Sequence, residues 1–364
     1  MGGEAAKLVL ELVNLTKTFL GFTLGPLNMK VDDNEILVMI GPTGSGKTTV
    51  LNLIAGLLKQ DSGIILMDGL DIADLPVESR NIGYTFQNPS LFPHLNVYEN
   101  IIFGLKKKNE KDRNHQVKRL LEDLGISHLT NRHIQGLSGG EMQKISLARM
   151  LVTEPKIMLM DEPLAHLDTS TKRKLRLELR RILRKHDIPA IYVTHFEDDV
   201  YALADAVSML QNGVIVNAGR LEAVLLHSNH SPFLSNIFSE GNYLEGTVVQ
   251  SKDGVTTFKT DSHLLETLGN YSIGSKVGIL VRPEDIILSK ELIKTSARNV
   301  VEVKVTKITN YNTGVADIHL VMNKFHMTSR ITEEARADLG IKEGDYIFAI
   351  FKAYSPQVVR EEYQ

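Results

Sequence analysis

The sequence predicts two domains, an α/β domain with a mainly parallel sheet followed by a smaller all-β barrel, and three observations carry that prediction. Its 364 residues exceed the roughly 100–200 that one domain usually takes. From about 8 to 228, short β-rich apolar runs alternate with segments of helical period. After 229–243 (NHSPFLSNIFSEGNY), an aperiodic stretch with Pro and Gly that reads as a linker, short alternating strands take over through 244–364.

Along the first domain, Ile36–Ile40 is a buried strand and Lys47–Leu58 the helix after it. Lys156–Met160 and Ala190–Thr194 are further buried strands. Thr171–Lys185 is a helix with Leu175, Leu179, Ile182 and Leu183 on one face. Asn212-Gly213, between two apolar runs, is a two-residue hairpin. In the second domain Val301, Val303 and Val305 alternate with polar residues, as a half-buried strand does. Gly274–Leu288 and Gly344–Val359 form a weak repeat: a Gly, an alternating strand, then Arg282 in one copy and Lys352 in the other. It suggests two β units in tandem, the second covering about 295–360.

Composition narrows the function. Hydrophobic residues make up 43% and charged residues 23%, so the chain can bury a core. A formal charge of −3 suggests no polyanion partner. The absence of cysteine excludes disulfide scaffolds, thiolate metal sites and thiol nucleophiles, and fits a reducing compartment. Apolar runs fall short of the roughly 18 residues of a membrane helix, and the start, MGGEAAKLVLEL, lacks the features of a secretion signal.

The chemistry begins at Gly41-Pro42-Thr43-Gly44-Ser45-Gly46-Lys47-Thr48, followed by Thr49. This G-x-x-x-x-G-K-[ST] run lies between a strand and a helix, the setting of a phosphate cradle. Glycines let backbone N–H groups face a phosphate, and the helix dipole favours the anion. Lys47 brings a mobile charge to the β/γ-phosphate oxygens, and the Thr48 hydroxyl can ligate Mg²⁺. The strand KIMLM then delivers Asp161 and Glu162 to its carboxyl end. Side chains alternate along a strand, so the two acids take different tasks. Asp161 is the Mg²⁺ partner, and Glu162 polarises the water that attacks the γ-phosphate.

Leu137-Ser138-Gly139-Gly140-Glu141, followed by MQKISLARML, resembles the signature of ATP-binding-cassette ATPases, and the rest of that family's motifs occur in order. Gln87 in YTFQNPS resembles the Q-loop glutamine, Ala165-His166-Leu167-Asp168 the D-loop, and His195 in YVTHFEDD the switch histidine. Phe19 stands where an aromatic lies under adenine. The resemblance covers about residues 8–240. It implies a RecA-like core with a helical subdomain at about 90–150. It also implies ATP and Mg²⁺ as ligands, with Thr48, Gln87 and Asp161 around the metal. Glu162, His195, Gln87 and Lys47 become the catalytic set. Ser138, Gly139 and Gly140 offer unpaired N–H groups and a hydroxyl at a helix start. By resemblance this second cradle, with Glu141 and Asp168, closes on the ATP of a partner copy in a head-to-tail homodimer.

The signature's usual Gln is Glu141 here, an added negative charge that a helix start tolerates. Phe19 replaces the commoner Tyr. The basic segments Lys106–Arg119 and Thr171–Lys185 read as solvated helix faces over a buried Leu/Ile stripe rather than a nucleic-acid surface. Pro89–Asn100 (PSLFPHLNVYEN) exposes Leu91, Phe92 and Leu95. By resemblance, it lies where importer ATPases receive a membrane permease subunit.

The C-terminal half resembles the OB-like β-barrel domain of importer ATPases, and more narrowly its molybdate/tungstate-binding form. The resemblance rests on TSARN at 295–299 and on LGIKEGD before YIFAIFKAYS. It implies a molybdate or tungstate importer ATPase, peripheral on the cytoplasmic face of the membrane. Two permease subunits and an external oxyanion-binding protein complete such an importer. Ser296, Arg298 and Lys352 are the expected regulatory oxyanion ligands, although Tyr354 follows where small hydroxyl residues are usual. Other cargoes (sugar, polyamine, phosphate or sulfate) and a non-transport ATPase acting on nucleic acid are the alternatives.

Overall fold

The strand Ile36–Ile40 is buried at every position because strands hydrogen-bond to it in parallel on both sides. A computed structural model describes residues 7–105, 110–226, 241–261, 263–311, 314–323 and 325–362. It divides into two units, Met1–Val224 and Leu225–Gln364.

The first unit runs β1 (Leu8–Phe19), β2 (Phe22–Asp32), β3 (Ile36–Ile40), α1 (Lys47–Ala55), β4 (Ser62–Met67), β5 (Leu70–Asp71) and β6 (Ile82–Thr85). Three helices follow, α2 (Val97–Ile102), α3 (Glu110–Asp123) and α4 (Gly139–Leu151). The unit continues with β7 (Ile157–Asp161), α5 (Thr169–Lys185), β8 (Ala190–Thr194), α6 (Glu197–Leu203), β9 (Ala206–Gln211), β10 (Val214–Arg220) and α7 (Leu221–Leu226). One sheet has the order β10-β9-β3-β8-β7-β6, parallel except for the β9–β10 hairpin. The other is antiparallel, β2-β1-β4-β5. Both sheets and α1 contribute to one apolar core that includes Leu12, Met39, Leu51 and Ile191.

Several expectations change in detail. Helix α1 stops at Ala55 rather than Leu58. Gly56 adopts φ +79° and donates to Asn52 O and Leu53 O, the glycine stop that satisfies a helix's last carbonyls. The basic helix α5 is not only a solvated face: Arg176 and Arg180 are buried. Arg180 donates to Asp205 at 2.7 Å and to Leu203 O, so pairing offsets the cost of removing the charge from water. Lys106–Arg119 lies partly outside the described residues.

Among its described residues from Gly241 onward, the second unit is β-stranded apart from one short α-helix and a single 3₁₀ turn at Pro283–Asp285. It comprises β11 (Asn242–Lys252), β12 (Val255–Lys259), β13 (Leu264–Leu268), β14 (Lys276–Val281), β15 (Ile287–Ser289) and β16 (Asn299–Asn310). After these come β17 (Val315–Met322), β18 (Phe325–Thr332), α8 (Glu333–Asp338), β19 (Tyr346–Phe351) and β20 (Gln357–Glu362). Two five-stranded antiparallel sheets, β13-β12-β11-β14-β20 and β15-β19-β16-β17-β18, enclose one core, in keeping with an OB-like class. The expected linker at 229–243 ends too late, because Asn242 and Tyr243 already pair with Val281 and Leu280; 229–240 lie outside the described residues. The two β units are also not simply in tandem. The repeat's first copy is β14 and β15, its second β19 and β20. β14 pairs with β20 and β15 with β19, so each copy gives one strand to each sheet. Alternating strands bury one face wherever they pair, and the sequence period cannot say with which neighbour.

Candidate functional site

The cradle at the carboxyl end of β3 needs its glycines for two reasons. Gly44 and Gly46 have φ of +81° and +104°, a left-handed backbone that glycine adopts without strain. A Cβ on Gly41 would stand 2.1 Å from Leu210 O, so β9 presses on the loop from behind. Lys47 opens α1 and is buried. Its ammonium donates to Gly41 O at 2.8 Å and Pro42 O at 2.9 Å. Burial pulls its proton affinity below the ordinary lysine value, while the carboxylates of Glu162 and Asp161 pull it back up.

Asp161 ends β7. Burial pushes its carboxyl above the ordinary value of 3.8, and the Thr48 hydroxyl, donating to it, works the other way. Glu162 has left the strand: its φ is +46°, left-handed for a residue with a side chain. The two acids are therefore separated by a turn in the backbone, not by strand alternation. The Glu162 N–H donates to Val193 O at 3.0 Å, which ties the turn to β8. Its carboxylate oxygen Oε1 lies 2.8 Å from Nδ1 of His195, the residue that follows β8.

Phe19, Phe22, Thr43, Gly44, Gly46, Lys47, Thr48, Thr49, Gln87, Asp161, Glu162 and His195 line one open cleft of about 650 Å³. Gly41, Pro42 and Ser45 belong to the loop beneath it. Phe22, which sequence reasoning missed, stacks near Phe19 with ring centroids 6.4 Å apart. The β1–β2 turn brings the two together, and the FLGF spacing was its only signal. A hydroxyl, a carboxylate and a side-chain amide around one cleft suit Mg²⁺, a hard cation that keeps several waters and takes substrate phosphate oxygens. Burial disfavours the Asp161 charge, and a cation bound there would favour the ionised carboxylate.

This gives a stability prediction. With its folded pKa raised, Asp161 costs stability when charged, and that cost disappears as pH falls through the raised value. Without nucleotide, Asp161→Asn is expected to melt above the wild type near neutral pH, and the gap to close on acidification. Differential scanning calorimetry across pH measures this, and an Asn variant that melts lower at neutral pH contradicts it.

Ser138, Gly139, Gly140, Glu141 and Asp168 do not line this cleft. Ser138 caps α4, and its N–H is not unpaired as expected. Its N–H and hydroxyl both donate to Glu141 Oε2, at 2.8 and 2.7 Å, while the Glu141 N–H donates to Ser138 Oγ at 3.3 Å. This reciprocal capping box makes Glu141 part of the helix start, and Ser138's hydrogen bonds hold its carboxyl below the usual range. Asp168 caps α5, accepting from the N–H groups of Ser170 and Thr171.

Within Pro89–Asn100, Leu91, Phe92 and Leu95 are half-buried rather than exposed, because Asn100 turns inward and holds the carbonyls of Phe92, Leu95 and Asn96. A groove of about 470 Å³ is nevertheless present, lined by Phe86, Pro89, Phe92, Phe103, Arg149 and neighbours. Arg149 donates to Pro89 O and Ser90 O and lies 5.5 Å from the Phe92 ring centroid. Arg149 and Phe103 were not legible as lining residues.

In the second unit Ser296, Arg298 and Lys352 are exposed. The β16–β19 register, with Asn299 opposite Phe351, brings Arg298 and Lys352 to the same end of the sheet. Arg298 stands 3.9 Å from Glu266, and Lys352 lies over the Tyr354 ring at 5.4 Å.

Residues 24–165 match the family model "ABC transporter" and residues 295–355 the "TOBE domain" model. The molybdate/tungstate import ATP-binding protein of Pyrococcus horikoshii is 36% identical over 95% of this chain and 98% of its own length. The spermidine/putrescine import ATP-binding protein of Acetivibrio thermocellus is 39% identical over 77% of this chain and 79% of its own. Among solved structures, an ATP-binding cassette of an ABC transporter in its ADP conformation matches 64% of this chain and 98% of its own, with a TM-score of 0.58 and 29% identity. The cassette cbiO1 of Clostridium perfringens matches with a TM-score of 0.56 and 27% identity, over 64% of this chain and 99% of its own.

Proposed function

We propose, on the premise that this chain belongs to the ABC transporter family of import ATP-binding proteins, that it couples ATP hydrolysis to the import of molybdate or tungstate. The transport-ATPase activity follows from the family. The cargo is our reading, and one observation carries it: similarity to the Pyrococcus molybdate/tungstate protein runs through 95% of the chain, whereas similarity to the Acetivibrio polyamine protein covers 77%. The greater identity of the latter match, 39%, keeps a polyamine importer as the second reading.

In the hydrolytic cycle the ATP triphosphate lies along the Gly41–Thr49 loop, with adenine against Phe19. Lys47 turns its ammonium from Gly41 O and Pro42 O to the phosphates, exchanging neutral acceptors for charged ones. Thr48, Asp161 and Gln87 would hold Mg²⁺, which when bound would supply charge neutralisation at the phosphates. Glu162 accepts a proton from water as the new P–O bond forms and the bond to the bridging oxygen breaks, leaving ADP and phosphate. His195 stands beside it to contact the γ-phosphate. In a homodimer, Ser138 and its neighbours complete the site of the other copy. For Ser138 to donate to that phosphate, it must release the Glu141 carboxylate.

No described helix is long and apolar enough to cross a membrane. Membership of a family of import ATP-binding proteins is what supports a place at the cytoplasmic face of the importer. The Phe86–Phe92–Phe103–Arg149 groove is the seat for a permease subunit, being largely apolar with exposed Phe86 and Phe103 rings and one half-buried cation. Oxyanion feedback through Ser296, Arg298 and Lys352 has as its support the two cations at one sheet end.

The test is ATPase activity of the complex reconstituted with its permease and external binding protein. Molybdate or tungstate is expected to stimulate turnover and spermidine to leave it unchanged; the reverse response would select the polyamine reading. Phe92→Asp in the same assay is expected to abolish stimulation while isolated-chain hydrolysis persists.

A further inference from the structure

The buried groups behind His195 form a network that the hydrolytic chemistry does not use. Thr194, the last residue of β8, is fully buried. Its hydroxyl donates to Asp199 Oδ2 at 2.6 Å and accepts the N–H of Phe196 at 3.0 Å. These two bonds bracket His195 on both sides. Asp199, only 2% exposed, is held in turn by other donors. Arg176 Nε donates to its Oδ1, and the buried Tyr192 hydroxyl donates to Oδ2 at 3.3 Å. Arg176 also donates to Asp198 at 3.2 Å. From the same helix, Lys172 lies 4.4 Å over the Phe196 ring, whose centroid is 4.0 Å from that of His195. Helix α5 therefore grips the segment after β8 at two points.

Packing alone does not require this arrangement. A buried carboxylate and a buried guanidinium are expensive to hold away from water, and apolar residues of similar size could join α5 to α6 as well or better. What the polar network adds is direction. Hydrogen bonds hold the backbone from Thr194 to Phe196 in one orientation, and that backbone sets where the imidazole stands relative to Glu162. Displacement of a reacting group by about 1 Å can cost on the order of 100-fold in rate.

We propose that Thr194, Asp199 and Arg176 are positioning residues for hydrolysis, acting through His195 by clamping the backbone on either side of its ring. The inference rests on the reading of His195 as the γ-phosphate contact, and it assigns the three residues no contact with nucleotide.

The experiment uses the full chain, with ATPase kinetics of Thr194→Val, Thr194→Ser, Asp199→Asn and His195→Ala, alone and combined. Thr194→Val keeps the side-chain volume and replaces the hydroxyl with a methyl group, a smaller disturbance than loss of the Asp199 charge; circular dichroism melting checks that each variant is folded. We expect Thr194→Val to lower kcat by about 10-fold or more, with KM for ATP within about 2–3-fold, and Thr194→Ser to restore it. In the His195→Ala background, Thr194→Val is expected to cause no further loss, because residues acting through one group are non-additive. A Thr194→Val that multiplies the His195→Ala loss, or that turns over like wild type while His195→Ala is crippled, overturns the positioning role and leaves the reading of His195 standing. Wild-type turnover by His195→Ala itself overturns both.

Discussion

Glu162→Gln is expected to bind ATP as tightly as the wild type and to lose at least about 100-fold in turnover, the range that removal of a general base gives. The substitution keeps the side chain's shape and its Oε1 acceptor, so the 2.8 Å contact to His195 Nδ1 can persist. It also leaves untouched the N–H that ties Glu162 to Val193 O, and with it the left-handed turn at φ +46°. Only proton acceptance is lost. Hydrolysis blocked after binding should accumulate the ATP-bound closed dimer, visible by light scattering as a doubled mass. A variant that still hydrolyses at a tenth of the wild-type rate or more would move the role of base to another group.

Lys47→Ala is expected to fail one step earlier. Charge-assisted hydrogen bonds contribute about 1.5–3 kcal/mol each, so loss of the ammonium should weaken ATP binding by roughly 10–100-fold or more. Binding of a fluorescent ATP analogue measures this directly. The fold should survive the change, because burial already disfavours the Lys47 charge and its partners Gly41 O and Pro42 O belong to a loop at the cleft. The melting temperature without nucleotide should therefore stay close to that of the wild type. ATP affinity unchanged in the Ala variant would mean that the loop N–H groups alone hold the triphosphate. Together the two variants separate binding from chemistry within one cleft.

The Gly41–Thr48 loop and the Asp161–Glu162 pair were legible because each depends on a short run of residue types, whereas Gln87 and His195 were legible only through resemblance to the family's motif order. A turn that faces phosphate needs glycine, and a strand end that meets a cation needs carboxylate. These constraints are local, and they survive in the linear order. The paired strands of the second unit were not legible in the same way. Val301, Val303 and Val305 announce a strand, but the exchange of β15 and β20 between sheets leaves no mark on either strand's own period.

By itself, then, the sequence determined the glycine loop between strand and helix, the pair of carboxylates at a strand's end, the two-part architecture and the motif order of the family. Only the tertiary structure decided that Arg176 and Arg180 turn inward from a basic helix and that Glu141 occupies the donors of Ser138. It likewise decided that a buried Thr194–Asp199 pair stands behind His195. The reason is physical: a charge's partner is chosen by proximity in space, and Arg176 and Asp199 lie on separate helices that meet only once β7 and β8 have paired.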